Sequence, residues 1–480
     1  MIEGLKPYPA MKDSGVPWLG VVPEHWELRR TKTLLKERVE KGFPDEPLLA
    51  ATQSKGVVRK DRYENRTVLA LKDLHLLKLV RAGDFVISLR SFQGGIEYAR
   101  DQGIISPAYT ILYPTNPPIH GYLAWLFKSK PYVESLSLFV TGIRQGQNVD
   151  YEKLGRAEIP LPPLPEQAAI VRFLDHVDRR IRRYIRAKQK LITLLEEQKQ
   201  AIIHRAVTRG LDPNVRLKPS GVEWLGDVPE HWEVRRLKSL VKQIDQGLSP
   251  QAENYLAEGP SWGVLKAGCV NRGVFREEQH KRLPPGFSVD AKLAIAEGDV
   301  LVSRASGSPN LVGSVGRVHA LRYQLILSDK MFRPRFRETV DPDFMVLAMN
   351  SPYYREQVMQ AISGAEGLAN NLPLSSLRSF RFAIPKEGDE QQVIVRKVCA
   401  VTAVLQDWVI KAEREIALLR EYRTRLIADV VTGKLDVREA AARLPDEAED
   451  PEPLDEAEVE SEAKECDARD ADEEREESEA

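Results

Sequence analysis

Asn116, Pro117, Pro118 and Ile119 come within one residue of the Asn-Pro-Pro-aromatic motif used to methylate adenine. The fourth position of that motif must stack an aromatic ring on a flipped base. Ile119 has no ring, and no strand followed by a glycine-rich cofactor loop stands upstream. A G-x-x-x-x-G-K-[ST] loop that would cradle phosphates is absent. Ser308–Val318, SPNLVGSVGRV, carries glycines without that spacing and reads as a strand pair with a turn. The eight histidines are scattered; His25 and His231 stand in a repeated PEHW with no second ligand at metal spacing. No acidic cluster of the D…ExK kind is convincingly placed for a metal-dependent nuclease. Cys269, Cys399 and Cys466 form no CxxC, which fits a reducing cytoplasm and argues against disulfides or a thiolate zinc site. The residues therefore point to a chain without catalysis, metal or cofactor of its own.

What the residue types can do is bind. Base edges are read by Arg, Lys, Asn, Gln and Ser on exposed loops, and phosphates take Lys and Arg. In the first half, LRSFQGG offers Arg90, Ser91 and Gln93, and IRQGQN offers Arg144, Gln145, Gln147 and Asn148. In the second half, SRASGSPN offers Arg304, Ser306, Ser308 and Asn310, and a matched loop offers Asn370 and Asn371. These glycine-flanked polar loops follow strands at equivalent places. The basic run RRIRRYIRAK (Arg179–Lys188) has three readings: it lines a DNA channel, meets a partner subunit, or is a solvated helix face.

The charge distribution supports a polyanionic partner. Residues 446–480 hold 19 Asp/Glu against 3 Lys/Arg, a net of −16, whereas residues 1–445 carry a net of +15. The basic body suits DNA. The tail, poor in aromatics, is expected to be disordered. It either shields the body, aids solubility or does nothing specific. No run of eighteen apolar residues marks a membrane span, and the first residues lack a secretory signal, so a cytoplasmic location is expected.

These loops must be positioned by something, and the chain supplies it twice. SGVPWLGVVPEHWELRR (Ser14–Arg30) returns as SGVEWLGDVPEHWEVRR (Ser220–Arg236), an offset of 206 residues. Glu166–Asp212 and Glu390–Asp436 align without a gap at an offset of 224. Weaker echoes lie between: AGDFVIS (Ala82–Ser88) with EGDVLVS (Glu297–Ser303), SKPYV with NSPYY, and Thr141–Leu154 with Ser363–Leu377. Each unit thus begins as a mixed domain of short strands and helices and ends in a long helix. Trp18, Trp26, Trp224 and Trp232 are expected as core anchors at each domain start. The helices show a seven-residue beat. The first runs through Leu174, Ile181, Lys188, Leu195 and Ile202, with Val177, Tyr184 and Leu191 between. The second runs through Val398, Leu405, Ala412, Leu419 and Leu426, with Val401, Trp408 and Tyr422. The fold class expected is α+β. Two pseudo-two-fold-related mixed α/β domains are separated by two long antiparallel coiled-coil helices. The boundaries are 1–160, 161–211 (spacer helix), 212–385, 386–437 (second spacer helix) and 438–480 (acidic tail).

With the repeated SGVxWLGxVPEHWExRR, the helix start PLPPLPEQAAIVRFLD, the GDVLVSRA…VGSVGRV segment and the loop TGIRQGQNVDYEKL in view, the chain resembles the specificity subunits of type I restriction–modification systems over roughly residues 10–437. The acidic tail lies outside that pattern. The resemblance implies that the mixed domains are target-recognition domains, each reading one half of a split, asymmetric sequence in double-stranded DNA. It implies that the helices, with seam residues Leu174, Ile181, Leu195, Ile202, Leu405, Leu419 and Leu426, separate the domains and dock two adenine-N6 methyltransferase subunits. Two restriction/translocase subunits would complete the complex. S-adenosylmethionine, ATP and magnesium would be used by those partners. The competing expectation is a coiled-coil scaffold with two protein-binding heads and no DNA role.

Overall fold

The computed structural model describes residues 5–53, 55–62, 73–89, 91–115, 119–141, 148–363 and 370–445. The chain divides into two compact units, residues 1–189 with 414–480, and residues 190–413. Each is built to the same plan.

In the first unit, Met11–Asp13 and Val21–Pro23 form a short antiparallel ladder, and Glu27–Arg30 pairs with Glu158–Leu161 just before the first long helix. A four-stranded antiparallel sheet follows in the order Leu35–Arg38, Thr110–Pro114, Phe85–Ile87, Glu97–Tyr98. Its apolar face, with Val86 and Ile111, packs with Leu49, Val57, Val80 and Ile105 from two flanking ladders. Helices His120–Phe127, Lys130–Leu136 and Tyr151–Leu154 return the chain to the sheet.

The second unit repeats this order. Leu217–Pro219 pairs with Asp227–Pro229, and Glu233–Arg236 with Arg381–Ile384. The four-stranded sheet runs Val241–Gln246, Met331–Phe336, Val300–Ser303, Val315–Arg317. Helices Pro342–Ala348, Pro352–Ala361 and Leu374–Ser379 match the three of the first unit. A three-stranded sheet, His280–Arg282, Trp262–Leu265, Gln324–Ile326, with the last pair parallel, corresponds to the first unit's Leu49–Thr52 and Gly56–Arg59 ladder, where Leu48 bridges Ile104 in parallel. The segment SPNLVGSVGRV is a 3-10 turn at Pro309–Leu311 and then a single strand, Val315–Arg317, paired with Val300–Ser303. Its two apolar stretches do not pair with each other because the turn between Leu311 and Ser314 feeds only one of them into the sheet.

Equivalent turns open the central strands. Gly83 and Gly298 take positive φ (94° and 89°), so that Asp84 and Asp299 cap their own turns through the N–H groups of Arg81 (2.9 Å) and Ala296 (3.0 Å). Both carboxylates are buried and hold an arginine: Arg38 Nε lies 2.8 Å from Asp84, and Arg333 Nη1 3.0 Å from Asp299. Arg333 is itself fully buried, and its remaining donors reach Asp245 and the carbonyls of Lys292 and Ala294.

The long helices are Leu164–Arg209, 46 residues, and Gly388–Val431, 44 residues. Pro165 in the first turn of the first helix, acidic residues in the first turn of both and glycines at positive φ past the ends (Gly210, 72°; Gly433, 76°) are start and stop signals. Within the first unit their segments pair antiparallel: Asp178 binds Arg423, and Lys188 Nζ lies 2.7 Å from Glu415. Within the second, Leu195 packs on Leu405 and Val409, and Lys199 donates to Gln406 Oε1 at 2.7 Å. Leu174, Ile181, Leu195, Leu405 and Leu426 are buried, and Ile202 and Leu419 half-buried. The alternate seam positions differ from expectation. Tyr184, Leu191, Val401 and Trp408 face outward, and Ile185, Ile192, Val409 and Ile416 take the inner places. A heptad seam alternates steps of three and four. After Tyr184, Leu191 and Trp408 the step of four puts the next residue, Ile185, Ile192 or Val409, inside; Val401 is followed by the half-buried Thr402.

Candidate nucleic-acid interface

The two polar loops of the second unit, far apart in sequence, are joined in the fold. Ala305–Ser306 pairs antiparallel with Asn370–Asn371, and Leu372 donates its N–H to the Arg304 carbonyl at 2.9 Å. The Asn370 side chain is buried to 9% exposure and donates to the Gly307 carbonyl at 3.5 Å. Asn371 exchanges backbone hydrogen bonds with Ser363. Ser306 Oγ accepts the Ser308 N–H, and Asn310 is exposed at the loop tip. The Arg304 guanidinium lies over the Phe332 ring, 5.8 Å from its centroid, and donates to the Asp329 carbonyl at 3.2 Å. Thus Arg304 is half-buried and oriented, Asn370 is structural, and Ser306, Ser308 and Asn310 form the accessible rim.

A residue not read from the sequence holds this rim. Arg355, on Pro352–Ala361, donates to the carbonyls of Pro309 (3.0 Å), Asn310 (3.3 Å) and Val312 (2.5 Å). Burial lowers its pKa from the ordinary arginine value. Its only sequence signal was its place one residue beyond NSPYY, the counterpart of SKPYV in the first half.

The same wall carries a groove of about 330 Å³ whose lining includes Lys266, Lys281, Lys330, Ser249 and Ser328. Lys330 also accepts the Arg304 N–H through its carbonyl, at 2.7 Å, so the groove and the loop adjoin. Burial, and then the charge of Lys281, lower the pKa of Lys266. Three ammonium groups around one concavity attract an anion such as a backbone phosphate.

In the first unit the comparable wall is built from Ser91–Gly94 lying against Asn148–Val149. Ser91 is buried, its Oγ accepting the Ser88 N–H at 2.8 Å, and Gln93 is exposed. Asn148 pairs through its backbone with Thr141. Arg90, Arg144, Gln145 and Gln147 lie outside the described residues. Here too a cation that the sequence did not single out fixes the loop. Lys128 donates to the carbonyls of Gly94 (2.8 Å) and Gln53 (3.1 Å) and pairs with Glu97 at 2.6 Å. Glu97 is buried, and desolvation raises its carboxyl to about 7 despite that lysine.

Both walls stand on one repeated clamp. Trp26 Nε1 donates to Glu166 Oε1 at 2.8 Å, His25 Nε2 pairs with Glu166 Oε2 at 2.8 Å, and the Tyr8 hydroxyl also donates to Glu166. In the second unit, Trp232 Nε1 donates to Glu390 at 3.0 Å and His231 pairs with it at 3.0 Å. The next residues, Gln167 and Gln391, are buried and donate to the carbonyls of Pro162 (2.7 Å) and Pro385 (3.2 Å). The PEHW phrase therefore binds the EQ that opens each long helix. Trp26 and Trp232 are fully buried; Trp18 and Trp224 are half-buried, packed against Tyr132 and Tyr353. Among the described residues, no group of three or more His, Cys, Asp or Glu is placed to hold a metal, and no helix is long and apolar enough to cross a membrane.

Comparison with known proteins adds to this geometry. The family model described as type I restriction modification DNA specificity domain matches residues 116–193. The chain is 23% identical over 331 residues to the type I restriction enzyme EcoKI specificity subunit of Escherichia coli, covering 68% of each chain. It is 23% identical over 365 residues to the MjaVIII specificity subunit of Methanocaldococcus jannaschii, covering 75% of this chain and 81% of that one. A solved structure described as showing complex assembly and conformational transition of the type I R-M system superposes with a TM-score of 0.61 at 16% identity, over 85% of this chain and 98% of the other. That likeness establishes the shared fold.

Proposed function

With the chain placed among the specificity subunits of type I restriction–modification systems, we propose that it is the DNA-reading subunit of such a complex. Each mixed domain reads one half of a bipartite, asymmetric site, and the gap between the halves follows the length of the long helices. The observation that carries the reading is the joined pair Ala305–Ser306 and Asn370–Asn371, held beside the groove of Lys266, Lys281 and Lys330. The Asn310 amide and the Ser306 and Ser308 hydroxyls at the rim of that pair sit next to clustered cations, the pairing that base readout with phosphate anchoring requires. The walls of the two units have unlike side chains, which supports unlike half-sites.

The chain performs no reaction in this reading. It docks two adenine-N6 methyltransferase subunits and two restriction/translocase subunits in the cytoplasm, and S-adenosylmethionine, ATP and magnesium are bound by those partners. The seam residues Leu174, Ile181, Leu195, Leu405 and Leu426 are spent inside this chain, so docking would use the outward faces of the helices.

Selection of bound duplexes from a randomised pool, at 100 mM and 300 mM salt, tests the proposal. Two short motifs at a constant gap are expected. Retention of all sequences alike, or of none, would contradict it and favour a protein-binding scaffold.

A further inference from the structure

The first long helix carries a second pattern, on the face opposite its buried seam. Ile170, Leu174, Val177, Ile181 and Ile185 are buried on one side. At 100° per residue, Arg172, Arg179, Arg183 and Arg186 fall together on the other side, with His176 among them. Arg172, Arg179 and Arg183 are exposed, and His176 and Arg186 half-buried. The row spans about 21 Å along the helix. All of it belongs to the first unit, as does the last described residue, Pro445.

The chain's last described segment is tied to the head of this row. After the helix Arg438–Ala442, Arg172 Nη2 donates to the carbonyls of Leu444 (2.8 Å) and Pro445 (3.4 Å). Residues 446–480, with 19 acidic against 3 basic side chains, begin at that point. Thirty-five residues reach on the order of 100 Å when extended, several times the length of the row. Chain connection raises the local concentration of tail carboxylates at the arginines to the millimolar range.

We propose that the arginine row Arg172–Arg186 is a polyanion-binding strip whose resident occupant is this chain's own acidic tail, and that the tail competes with DNA for the basic body. The second clause rests on the DNA-reading function proposed above. The contact is electrostatic, multivalent and weak for each pair, so it yields to a stiffer and denser polyanion and to salt. Non-specific DNA is held mainly by phosphate contacts, whereas a cognate site adds base contacts. The tail therefore suppresses non-specific binding more than cognate binding.

The tail's Cys466 makes this testable in the full chain. Cys269 is buried, so Cys399→Ser directs a thiol-reactive benzophenone photocross-linker to Cys466. Cross-links mapped by mass spectrometry should concentrate within residues 172–186, and should disperse when Arg179, Arg183 and Arg186 are replaced by Gln. In parallel, a full-length variant with the tail Asp and Glu changed to Asn and Gln should bind a random duplex about tenfold more tightly at 50 mM salt, with the gap below about twofold at 300 mM. Cross-links elsewhere, or only between chains in a mixture of ¹⁴N and ¹⁵N protein, overturn the intramolecular seat. Cross-links at the row with unchanged DNA affinity overturn the competition. Absence of DNA binding by both chains sinks the DNA-reading function instead, and the cross-link map then decides the tail's seat alone.

Discussion

The indole N–H of Trp26 lies 2.8 Å from the Glu166 carboxylate, joining the start of the first mixed domain to the first turn of the long helix that ends it. Trp232 repeats the bond to Glu390 at 3.0 Å. The clamps are not equal. Glu166 is buried and gathers Tyr8, His25 and Trp26, whereas the Glu390 side chain is 31% exposed and, among the described residues, gathers His231 and Trp232. Glu166→Ala should cost about 2–4 kcal/mol, because two buried donors lose their acceptor, and Glu390→Ala about 1–2 kcal/mol. Calorimetric melting of the two variants checks the order; equal losses would contradict the asymmetry.

The helix ends give a second contrast. Gly433 holds φ +76°, and a Cβ there would meet Pro23 Cδ at 2.3 Å, whereas Gly210 holds φ +72° with nothing nearer than 3.5 Å. Gly210→Ala bears only the left-handed backbone cost of about 1 kcal/mol. Gly433→Ala adds a collision with a proline ring and should cost about 2–4 kcal/mol. Similar melting temperatures for the two would contradict the close approach at Pro23.

Glu97 makes stability depend on pH. Burial lifts its carboxyl from 4.5 to about 7, so the folded chain keeps a proton that the unfolded chain releases. That preference is fully present below pH 4.5 and is lost as pH rises through 7. Glu97→Gln removes the titration while keeping an acceptor for Lys128. On going from pH 5 to pH 8 the variant should gain about 2–3 kcal/mol relative to the parent. Parallel stability curves would contradict the assignment.

Positioning and phosphate-binding residues should separate by salt. Lys266→Gln, Lys281→Gln and Lys330→Gln should each weaken DNA binding and reduce the slope of log K against log[salt] by about 0.9. Arg355→Met, which frees the carbonyls of Pro309, Asn310 and Val312, should weaken binding without changing the slope. Its effect should fall on the half-site read by the second domain. A slope change for Arg355→Met would make it a phosphate contact instead.

The duplication, the long helices and the equivalence of the polar loops in the two halves were legible because they are written in local pattern and repeated phrase; the pairing of Ala305–Ser306 with Asn370–Asn371 was not. The function of PEHW was not: its Trp and His meet a Glu about 140 or 160 residues away, a partner that only the fold supplies. The lysine groove was hidden for the same reason. Lys266, Lys281 and Lys330 converge through strand pairing of Trp262–Leu265 with His280–Arg282 and Gln324–Ile326. On the helices, a step of three and a step of four both satisfy a heptad. Trp408 was therefore exchangeable with Val409 until packing selected the smaller aliphatic residue for the seam. Ser91 and Asn370, polar and glycine-flanked, read as accessible and are instead buried hydrogen-bonding supports of their loops.

The most direct test of DNA reading is to express the chain with the methyltransferase subunit proposed as its partner in a host lacking adenine methylation and to map N6-methyladenine by single-molecule sequencing. The DNA-reading function predicts methylation at one split, asymmetric motif with a constant gap, lost when this chain is omitted and altered in one half only when residues 304–310 are exchanged. Methylation that persists at the same motif without this chain would contradict it.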